Sequence, residues 1–344
     1  MNSKLVDSVK PDVKEFLSGV VNLLDSSTKV IMTTTAFNVR SIEDENTLAI
    51  INLKKINDIR FVNKFQEAVN EHLPVGGIYI GVVETQEQRT KRFLHKFYPV
   101  LAHIYLFFDF IFKRVFSKLP VFKKLYFFIT NGRNRVMSKA ESLGRLVSCG
   151  FKIEKVEVIG NYTYFVARKT KAPSYDLNPS YGPLFAMRRL GKNGKIIHVY
   201  KFRTMYPYAE YLQEYIYEQN KLAAGGKFAD DFRITNWGKF LRKCWLDELP
   251  MIINLIKGDL KIVGIRPLSR HYNSLYTKEL QDKRILSKPG LLPPFYVDMP
   301  RTLEEIIDSE LRYLKSYEQN PIKTDFRYFM SILSNIIFKG ARSN

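Results

Sequence analysis

No apolar stretch of this chain reaches the roughly 20 residues of a membrane-spanning helix, so its cores must be built from shorter elements. The apolar residues of the first part form a strand-like run over 48–53, a helical pattern over 61–73 and a second strand-like run over 78–83. Strand, helix and strand at this spacing predict a parallel sheet with crossover connections. With 344 residues, the chain is long enough for two domains of ordinary size.

Residues 1–170 are predicted to form the first of these domains, with an α/β fold. A helix over 140–148, a Cys-Gly-Phe turn and two strands over 155–159 and 162–167 complete it. This succession resembles the C-terminal half of class I SAM-dependent methyltransferases, which implies a truncated Rossmann-like sheet. No glycine-rich turn follows an early strand, although such a turn lets the backbone approach a cofactor closely. A structural or partner-binding role is therefore favoured over methyl transfer.

The composition changes sharply in an insertion over 89–139, which is crowded with Lys and Arg and contains Asp109 as its one acid. A mostly apolar, aromatic segment over 97–112 lies between the basic clusters. It is too short to cross a bilayer but suited to dip into one leaflet or lie at its surface. The flanking cations would then meet lipid phosphates. The alternative is a buried core helix with a solvated basic rim.

The formal charge of +20 favours a partner that carries phosphates: nucleic acid, an anionic membrane surface or a phosphorylated substrate. Because the basic residues alternate with apolar runs, no nucleic-acid partner is expected. Cys149 and Cys244 are the only cysteines and lack metal-ligand spacing, which excludes a disulfide framework and a Cys-based zinc site. The N terminus contains no run of signal-peptide type, so we expect the chain on the cytoplasmic side of any membrane it meets.

A Pro-, Ser- and Asn-rich linker is predicted over 171–183, followed by a second domain over 184–344. This domain begins with a hairpin around an Asn-Gly turn. Alternation along its return strand places Lys201 and Arg203 on one face, with Tyr200 and Phe202 on the other. Two cations side by side can clamp a phosphate, although a solvated strand face is the simpler interpretation.

Two adjacent acids, Asp247 and Glu248, stand just before an apolar helix in which Pro250 occupies the first turn. Free N–H groups and the helix dipole favour ionised carboxylates there, so simple helix capping would explain an isolated pair. Here several arginines bracket the pair. Acids and arginines together suit a pyrophosphate bound through a divalent metal, with one carboxylate ionised for attack on phosphorus.

Five sequence motifs occur in order in this half: KFRTM (201–205), D-x-R-x-T-x-x-G (231–238), LR-x-x-x-LDELP (241–250), N-x-x-x-GD (254–259) and an Arg-Pro turn (266–267). Together they resemble the bacterial sugar transferase family, the monotopic polyprenyl-phosphate phosphoglycosyl transferases. The resemblance runs from about Gly182 to the end of the chain. It implies a small α-β-α domain with membrane-associated helices.

The resemblance also implies chemistry. Asp247 would be the nucleophile that displaces UMP from a UDP-sugar, and polyprenyl (undecaprenyl) phosphate would then attack the phosphosugar intermediate. Glu248 would help to hold Mg²⁺, together with Asp247, or would handle a proton. The residues that would contact the substrate phosphates are Lys201, Arg203, Arg233, Arg242, Arg266 and Arg284. Such an enzyme would initiate surface glycan synthesis at the cytoplasmic face of the bacterial inner membrane, with lipid as a further partner.

The chain departs from the family pattern at three places, and the two at Ile265 and 291–294 support an alternative, a membrane-bound scaffold or regulator without turnover. The family's membrane-entering helix is replaced by the linker at its usual place, so the 97–112 segment would have to substitute. Ile265 stands where the Gly-Pro-Arg-Pro turn has its first Pro. Leu291–Pro294 replaces the family's Ile-Thr-Gly run. Methyl transfer through the first domain is the other enzymatic alternative.

Overall fold

The computed structural model describes residues 2–43, 46–117, 119–175, 181–220 and 231–339. They form two compact units, Met1–Pro179 with Tyr206–Gln219, and Ser180–Met205 with Asn220–Asn344. Within the predicted linker, 176–180 lies outside the described residues. Both units are mixed α/β, as expected.

The first unit is built on a five-stranded sheet in the order β1-β2-β3-β5-β4. Strands β1 to β3 are parallel, and β5 pairs antiparallel with both β3 and β4. The parallel sheet predicted from the strand–helix–strand spacing is therefore confirmed. The strand bounds are β1 (Thr28–Ile31), β2 (Ala49–Lys55), β3 (Ile78–Val83), β4 (Phe151–Ile159) and β5 (Tyr162–Lys169).

Helices cover this sheet, and α1 and α2 pack against Val30, Ile51, Ile80 and Val166 to form one apolar core. The helices are α1 (Asn2–Asp7), α2 (Pro11–Ser18), α3 (Ala36–Arg40), α4 (Val62–His72), α5 (Gln86–Lys96), α6 (Pro99–Phe110), α7 (Pro120–Thr130), α8 (Lys139–Ser148) and α9 (Gln213–Asn220). The segment from Tyr206 to Gln219 belongs to this unit although it follows the KFRTM motif directly.

The basic insertion forms α5, α6, a π-helical turn over Ile111–Val115 and α7. Its single acid, Asp109, is buried and accepts two hydrogen bonds from the Arg89 guanidinium, at 2.8 and 2.9 Å. This ion pair ties α5 to α6. Among the described residues, no helix combines the length and apolarity needed to cross a bilayer.

The second unit contains two small sheets. Strands β6 (Leu184–Leu190) and β7 (Ile196–Phe202) form the predicted antiparallel hairpin, and Asn193 and Gly194 in its turn both have positive φ. Strands β8 (Lys261–Val263) and β9 (Gly290–Leu292) pair in parallel. Gly290 is required at this crossing, because a Cβ there would lie 2.2 Å from the backbone nitrogen of Gly264.

Seven helices of the second unit lie in the part of the chain that is described. They are α10 (Asn236–Lys243), α11 (Ile252–Ile256), α12 (Arg270–Ser274), α13 (Lys278–Leu286), α14 (Phe295–Asp298), α15 (Leu303–Gln319) and α16 (Pro321–Lys339), with a 3-10 helix over Leu246–Met251 before α11. The core lies between α14, α15 and α16 and includes Tyr296, Tyr313 and Ile332.

Candidate active site

The paired acids meet a cation from the hairpin. Asp247 and Glu248 occupy the first turn of the 3-10 helix, and Lys201 is near the end of β7. The Lys201 Nζ lies 2.5 Å from Glu248 Oε1, and both side chains are largely buried. The sequence predicted an apolar helix just after the dyad with Pro250 in its first turn. In the structure, Pro250 lies inside the 3-10 helix, whose N-cap is Trp245 at φ 60°, and the α-helix begins at Ile252.

Trp245 is an unusual residue for a left-handed conformation, since a bulky side chain is strained there. Its ring packs against Tyr296, with 4.6 Å between centroids. This tilted ring contact anchors Trp245, two residues before Asp247. The backbone bend at Trp245 therefore sets the direction in which the dyad leaves α10.

Asn254 holds the strand that carries Lys201. Its side chain is fully buried, accepts a hydrogen bond from the Tyr200 backbone N–H at 3.0 Å and donates one to the His198 carbonyl at 2.7 Å. It also contacts the Asp259 carboxylate at 3.2 Å. The N-x-x-x-GD motif thus joins α11 to the edge of β7 that does not pair with β6.

The Asp247 carboxyl group is half-buried, and its pKa is raised above the ordinary value by burial and by the neighbouring charge of Glu248. Lys201 and Arg242 oppose this rise. Burial in turn lowers the pKa of the Arg242 guanidinium, which Asp247 and Asp231 counteract. The carboxylate is therefore weakly solvated but faces two cations, which suits a nucleophile directed at an anionic substrate.

The KFRTM and D-x-R-x-T-x-x-G motifs contact each other next to Arg242. The Arg242 Nε donates to Thr204 Oγ1 at 3.0 Å. The Thr204 carbonyl accepts from the backbone N–H of Thr235 at 2.9 Å, and the Thr235 hydroxyl caps α10. Gly238 is needed because a Cβ there would lie 2.0 Å from the Thr204 carbonyl oxygen. These contacts fix the end of α10 beside the dyad.

Three of the predicted phosphate ligands, Arg203, Arg233 and Arg284, have other partners. The Arg233 guanidinium is buried and forms a two-pronged ion pair with Asp231, at 2.8 and 2.7 Å. Arg203 lies one residue beyond the end of β7, where its Nε donates to the Gly182 carbonyl at 3.1 Å and its guanidinium lies over the Phe185 ring. Strand alternation no longer determines the direction of Arg203, because the strand ends at Phe202.

The Arg266-Pro267 turn is held from behind by Arg284. This buried guanidinium forms an ion pair with Glu310, and donates to Asn273 Oδ1 at 3.2 Å and to the Arg266 carbonyl at 2.6 Å. The Arg266 side chain itself is exposed. In this geometry Arg284 positions the turn, whereas Arg266 is presented outward.

A cavity of about 270 Å³ opens beside the Lys201–Glu248 pair. Its lining includes Arg266 and a residue that we had not predicted, Arg189. The hairpin register pairs Arg189 with Ile197, which lies on the same face as Lys201. That register follows from the Asn-Gly turn, so the sequence did contain the signal for Arg189.

Asp247 and Glu248 are also the candidate metal ligands of the site. No group of three or more His, Cys, Asp or Glu side chains suited to a metal occurs among the described residues. Mg²⁺ is commonly held by one or two carboxylates together with substrate phosphates. Asp247 and Glu248 fit that pattern, with Glu248 paired to Lys201.

Comparison with known proteins identifies this part of the chain. Residues 174–339 match the family described as bacterial sugar transferase. This segment, a little under half of the chain, is similar to that family. All the site residues named above lie within it.

Individual relatives agree with this match. Galactosyl transferase CpsE of Streptococcus agalactiae serotype III (strain NEM316) is 34% identical over 141 residues, 40% of this chain and 31% of the relative. EpsL, an uncharacterized sugar transferase of Bacillus subtilis (strain 168), is 39% identical over 107 residues, 31% of this chain and 46% of the relative.

A longer match joins this chain to the UDP-glucose:undecaprenyl-phosphate glucose-1-phosphate transferase of Escherichia coli (strain K12). It is 26% identical over 260 residues, 71% of this chain and 51% of the relative. Residues 174–344 make up only about half of this chain, whereas the match covers 71% of it. The match therefore extends into the first half of the chain. The chain spans about half or less of the length of these sugar transferase relatives.

Proposed function

We propose that this chain is a phosphoglycosyl transferase that moves a sugar-1-phosphate from a UDP-sugar to polyprenyl phosphate, with undecaprenyl phosphate as the acceptor. The observation that carries the proposal is the half-buried Asp247 carboxylate between the Lys201–Glu248 pair and Arg242. The name of the Escherichia coli relative, with UDP-glucose as donor and undecaprenyl phosphate as acceptor, supports both substrate classes.

In the first step, an Asp247 carboxylate oxygen attacks the phosphorus that bears the sugar. A new P–O bond forms to Asp247, the bond to the bridging oxygen breaks, and UMP leaves with that electron pair. Lys201 and Arg242 attract the diphosphate, and their charges lower the pKa of Asp247, in opposition to the larger effect of burial. The product of this step is a phosphosugar bound covalently to Asp247.

In the second step, a phosphate oxygen of the polyprenyl phosphate attacks the same phosphorus. The bond to Asp247 breaks, the carboxylate is restored, and polyprenyl diphosphate sugar is released. Both steps take place at the same phosphorus, and the same cations stabilise the negative charge of its oxygens. Covalent catalysis thus divides one transfer into two displacements at one site.

Asp247 and Glu248 are the residues that would hold Mg²⁺ with the substrate diphosphate. A divalent cation bound there supplies positive charge that neutralises the phosphate oxygens and the departing UMP. To bind the metal ion, Glu248 would give up its ion pair with Lys201, in which Nζ and Oε1 are 2.5 Å apart. Lys201 would then be free to contact a phosphate oxygen.

The membrane contact expected for a polyprenyl acceptor is supported by the exposed face of α6 and α7. Its exposed side chains are predominantly apolar and aromatic: Tyr98, Val100, Leu101, Ile104, Tyr105, Phe107, Phe108, Leu125, Phe128 and Ile129. We propose that this face lies in the headgroup and acyl boundary at the cytoplasmic face of the bacterial inner membrane. The predicted domain limits, 1–170 and 184–344, would place this face in the first domain.

The two alternative functions are methyl transfer through the first domain and an inactive scaffold. For methyl transfer, the segment 32–35 after β1 contains no glycine, and Asn52 bonds both the backbone N–H and the carbonyl of Thr33 at 3.2 and 3.1 Å. These bonds occupy the backbone polar groups of Thr33, two residues after β1, where a cofactor would approach. An inactive scaffold is favoured only by the departures at Ile265 and Leu291–Pro294.

The test combines the full chain in detergent with Mg²⁺, a panel of UDP-sugars and polyprenyl phosphate. We expect UMP release that Asp247→Asn abolishes. Intact-protein mass spectrometry with UDP-sugar alone should show a phosphosugar adduct on the unmodified chain and none on Asp247→Asn. UMP release at the same rate from both proteins would refute the mechanism. No release with any sugar would favour the scaffold, and measurable SAM binding would favour methyl transfer.

A further inference from the structure

Two arginines, Arg189 and Arg266, line the cavity beside the dyad. The Arg189 guanidinium is half-buried and donates to the Arg188 carbonyl and to Met187 Sδ, each at 3.0 Å. Among the described residues, no carboxylate forms an ion pair with Arg189 or with the Arg266 side chain. Glu310 also lines the cavity and offsets part of the Arg266 charge, but its carboxylate forms its ion pair with Arg284.

The two guanidinium groups also repel each other. Burial and the neighbouring charge of Arg266 lower the pKa of Arg189. Bringing two like charges together in a partly desolvated place costs free energy unless an anion lies between them. Planar guanidinium groups are well suited to grip phosphate oxygens with two hydrogen bonds each. The cavity therefore favours an anionic, phosphate-bearing ligand.

The rest of the lining is largely apolar and aromatic. It includes Tyr272, Tyr276, Phe295 and Tyr296 beside Leu291 and Pro293. Aromatic side chains of this kind stack on planar rings. A volume of about 270 Å³ suits a compact nucleoside better than a long isoprenoid chain.

One polar group in the lining has no partner. Ser309 on α15 is 1% exposed, and its hydroxyl makes no hydrogen bond with any residue in the described part of the chain. A buried hydroxyl without a partner costs about 1–3 kcal/mol. A polar edge of a ligand in the cavity would satisfy it. Ser309 is thus an independent indication of a ligand.

We propose that this cavity binds a nucleoside monophosphate, with the phosphate between Arg189 and Arg266 and the nucleoside among Tyr272, Tyr296 and Ser309. In the proposed function this ligand is the nucleotide half of the donor, and that identification rests on the proposed function. The cavity also reaches Lys201 and Glu248, so a diphosphate can extend from the arginines towards the dyad. Arg189 would be a binding residue for the donor.

The test measures UMP binding by isothermal titration calorimetry with the full chain carrying Asp247→Asn, which prevents turnover. We expect Arg189→Gln to weaken UMP binding about tenfold, as for loss of a charged hydrogen bond. Arg188→Gln is the matched control, because it removes the same charge from an exposed residue of the same strand with the opposite orientation. Equal losses from both variants would overturn the proposal.

Two further variants test the nucleoside part. Tyr272→Ala alters a partly exposed ring and should weaken UMP while leaving the binding of inorganic phosphate unchanged. Ser309→Leu should fill the cavity and abolish UMP binding, with phosphate binding and the thermal melt showing that the protein is folded. If farnesyl phosphate, and not UMP, depends on Arg189, the cavity takes the acceptor and the proposal is wrong.

These results separate the inference from the proposed function. UMP binding that depends on Arg189, in a chain that never turns over a UDP-sugar, would support the nucleotide site and refute the transferase. Asp247-dependent UMP release combined with unchanged UMP affinity in Arg189→Gln and Tyr272→Ala would support the transferase and overturn the site.

Discussion

Lys201 and Glu248 are 47 residues apart in the sequence, yet Lys201 Nζ and Glu248 Oε1 lie 2.5 Å apart beside Asp247. The pair joins the hairpin to the 3-10 helix and sets the charge around the proposed nucleophile. Glu248 raises the pKa of Asp247, whereas Lys201 lowers it. Glu248 therefore disfavours the ionised form of Asp247, and Lys201 favours it.

This relationship predicts opposite shifts in pH dependence. The attacking form of Asp247 is ionised, so activity should fall as the pH drops through its raised pKa. Glu248→Gln should move this acidic limb of kcat/KM to lower pH, and Lys201→Met should move it to higher pH, in addition to any loss of rate. Arg188→Gln serves as the control for a general loss of charge. Shifts in the same direction for both variants would exclude Asp247 as the titrating group.

The same pKa shift predicts how Asp247→Asn affects stability. A carboxyl group whose pKa is higher in the folded state than in the unfolded state destabilises the fold once the pH exceeds the unfolded value. At pH 7, replacing Asp247 with Asn should therefore leave the melting temperature equal or higher while transfer is lost. Differential scanning fluorimetry and the UMP assay measure the two effects. A marked fall in melting temperature would point to a structural role for Asp247.

The hairpin around the Asn-Gly turn could be predicted, because alternation and turn chemistry are local properties. The order of the strands around β5, which follows β4 but lies next to β3, needed the tertiary structure. At the site, the motif series indicated Lys201, Asp247, Glu248 and Arg242. The partner of Arg284 is Glu310, 26 residues later on a different helix, and no local pattern indicates that pairing.

Asn254 is predicted to stabilise the hairpin rather than to take part in the chemistry. Asn254→Leu keeps the volume similar but leaves the Tyr200 N–H and the His198 carbonyl without partners. We expect a loss of about 2–5 kcal/mol in the free energy of unfolding, since each buried unpaired group costs about 1–3 kcal/mol. Urea denaturation measures it. Asn236→Leu, at an exposed position of α10, should change stability by under about 0.5 kcal/mol. Similar losses for both would contradict this role.

Arg284 is predicted to act through the Arg266-Pro267 turn rather than on substrate. Arg284→Met leaves the buried Glu310 carboxylate unpaired and should cost about 3–5 kcal/mol. Adding Glu310→Leu should recover most of that stability, because it removes the unpaired charge. A double-mutant cycle from urea unfolding gives the coupling between the two side chains. Coupling below about 0.5 kcal/mol would mean that the ion pair does not support the turn.

The exposed apolar face of α6 and α7 is predicted to hold the protein on lipid. Phe128 is 83% exposed, and Leu101 and Phe108 are exposed on the preceding helix, which is costly in water unless lipid covers them. In co-sedimentation with vesicles containing anionic lipid, Leu101→Glu with Phe108→Glu should reduce binding at least tenfold. Phe37→Glu changes an equally exposed apolar residue of α3 and should have little effect.

A salt wash distinguishes two modes of membrane binding. In one, apolar side chains enter the lipid; in the other, the basic residues of the 89–139 segment are attracted to anionic headgroups. Surface charge interactions are screened strongly at 1 M salt, whereas burial of apolar side chains in lipid is not. We therefore expect the unmodified chain to stay on vesicles, and on cell membranes, through a high-salt wash and to leave with detergent. Complete release by salt alone, with no difference between Leu101→Glu and the unmodified chain, would show that the apolar face does not enter the bilayer.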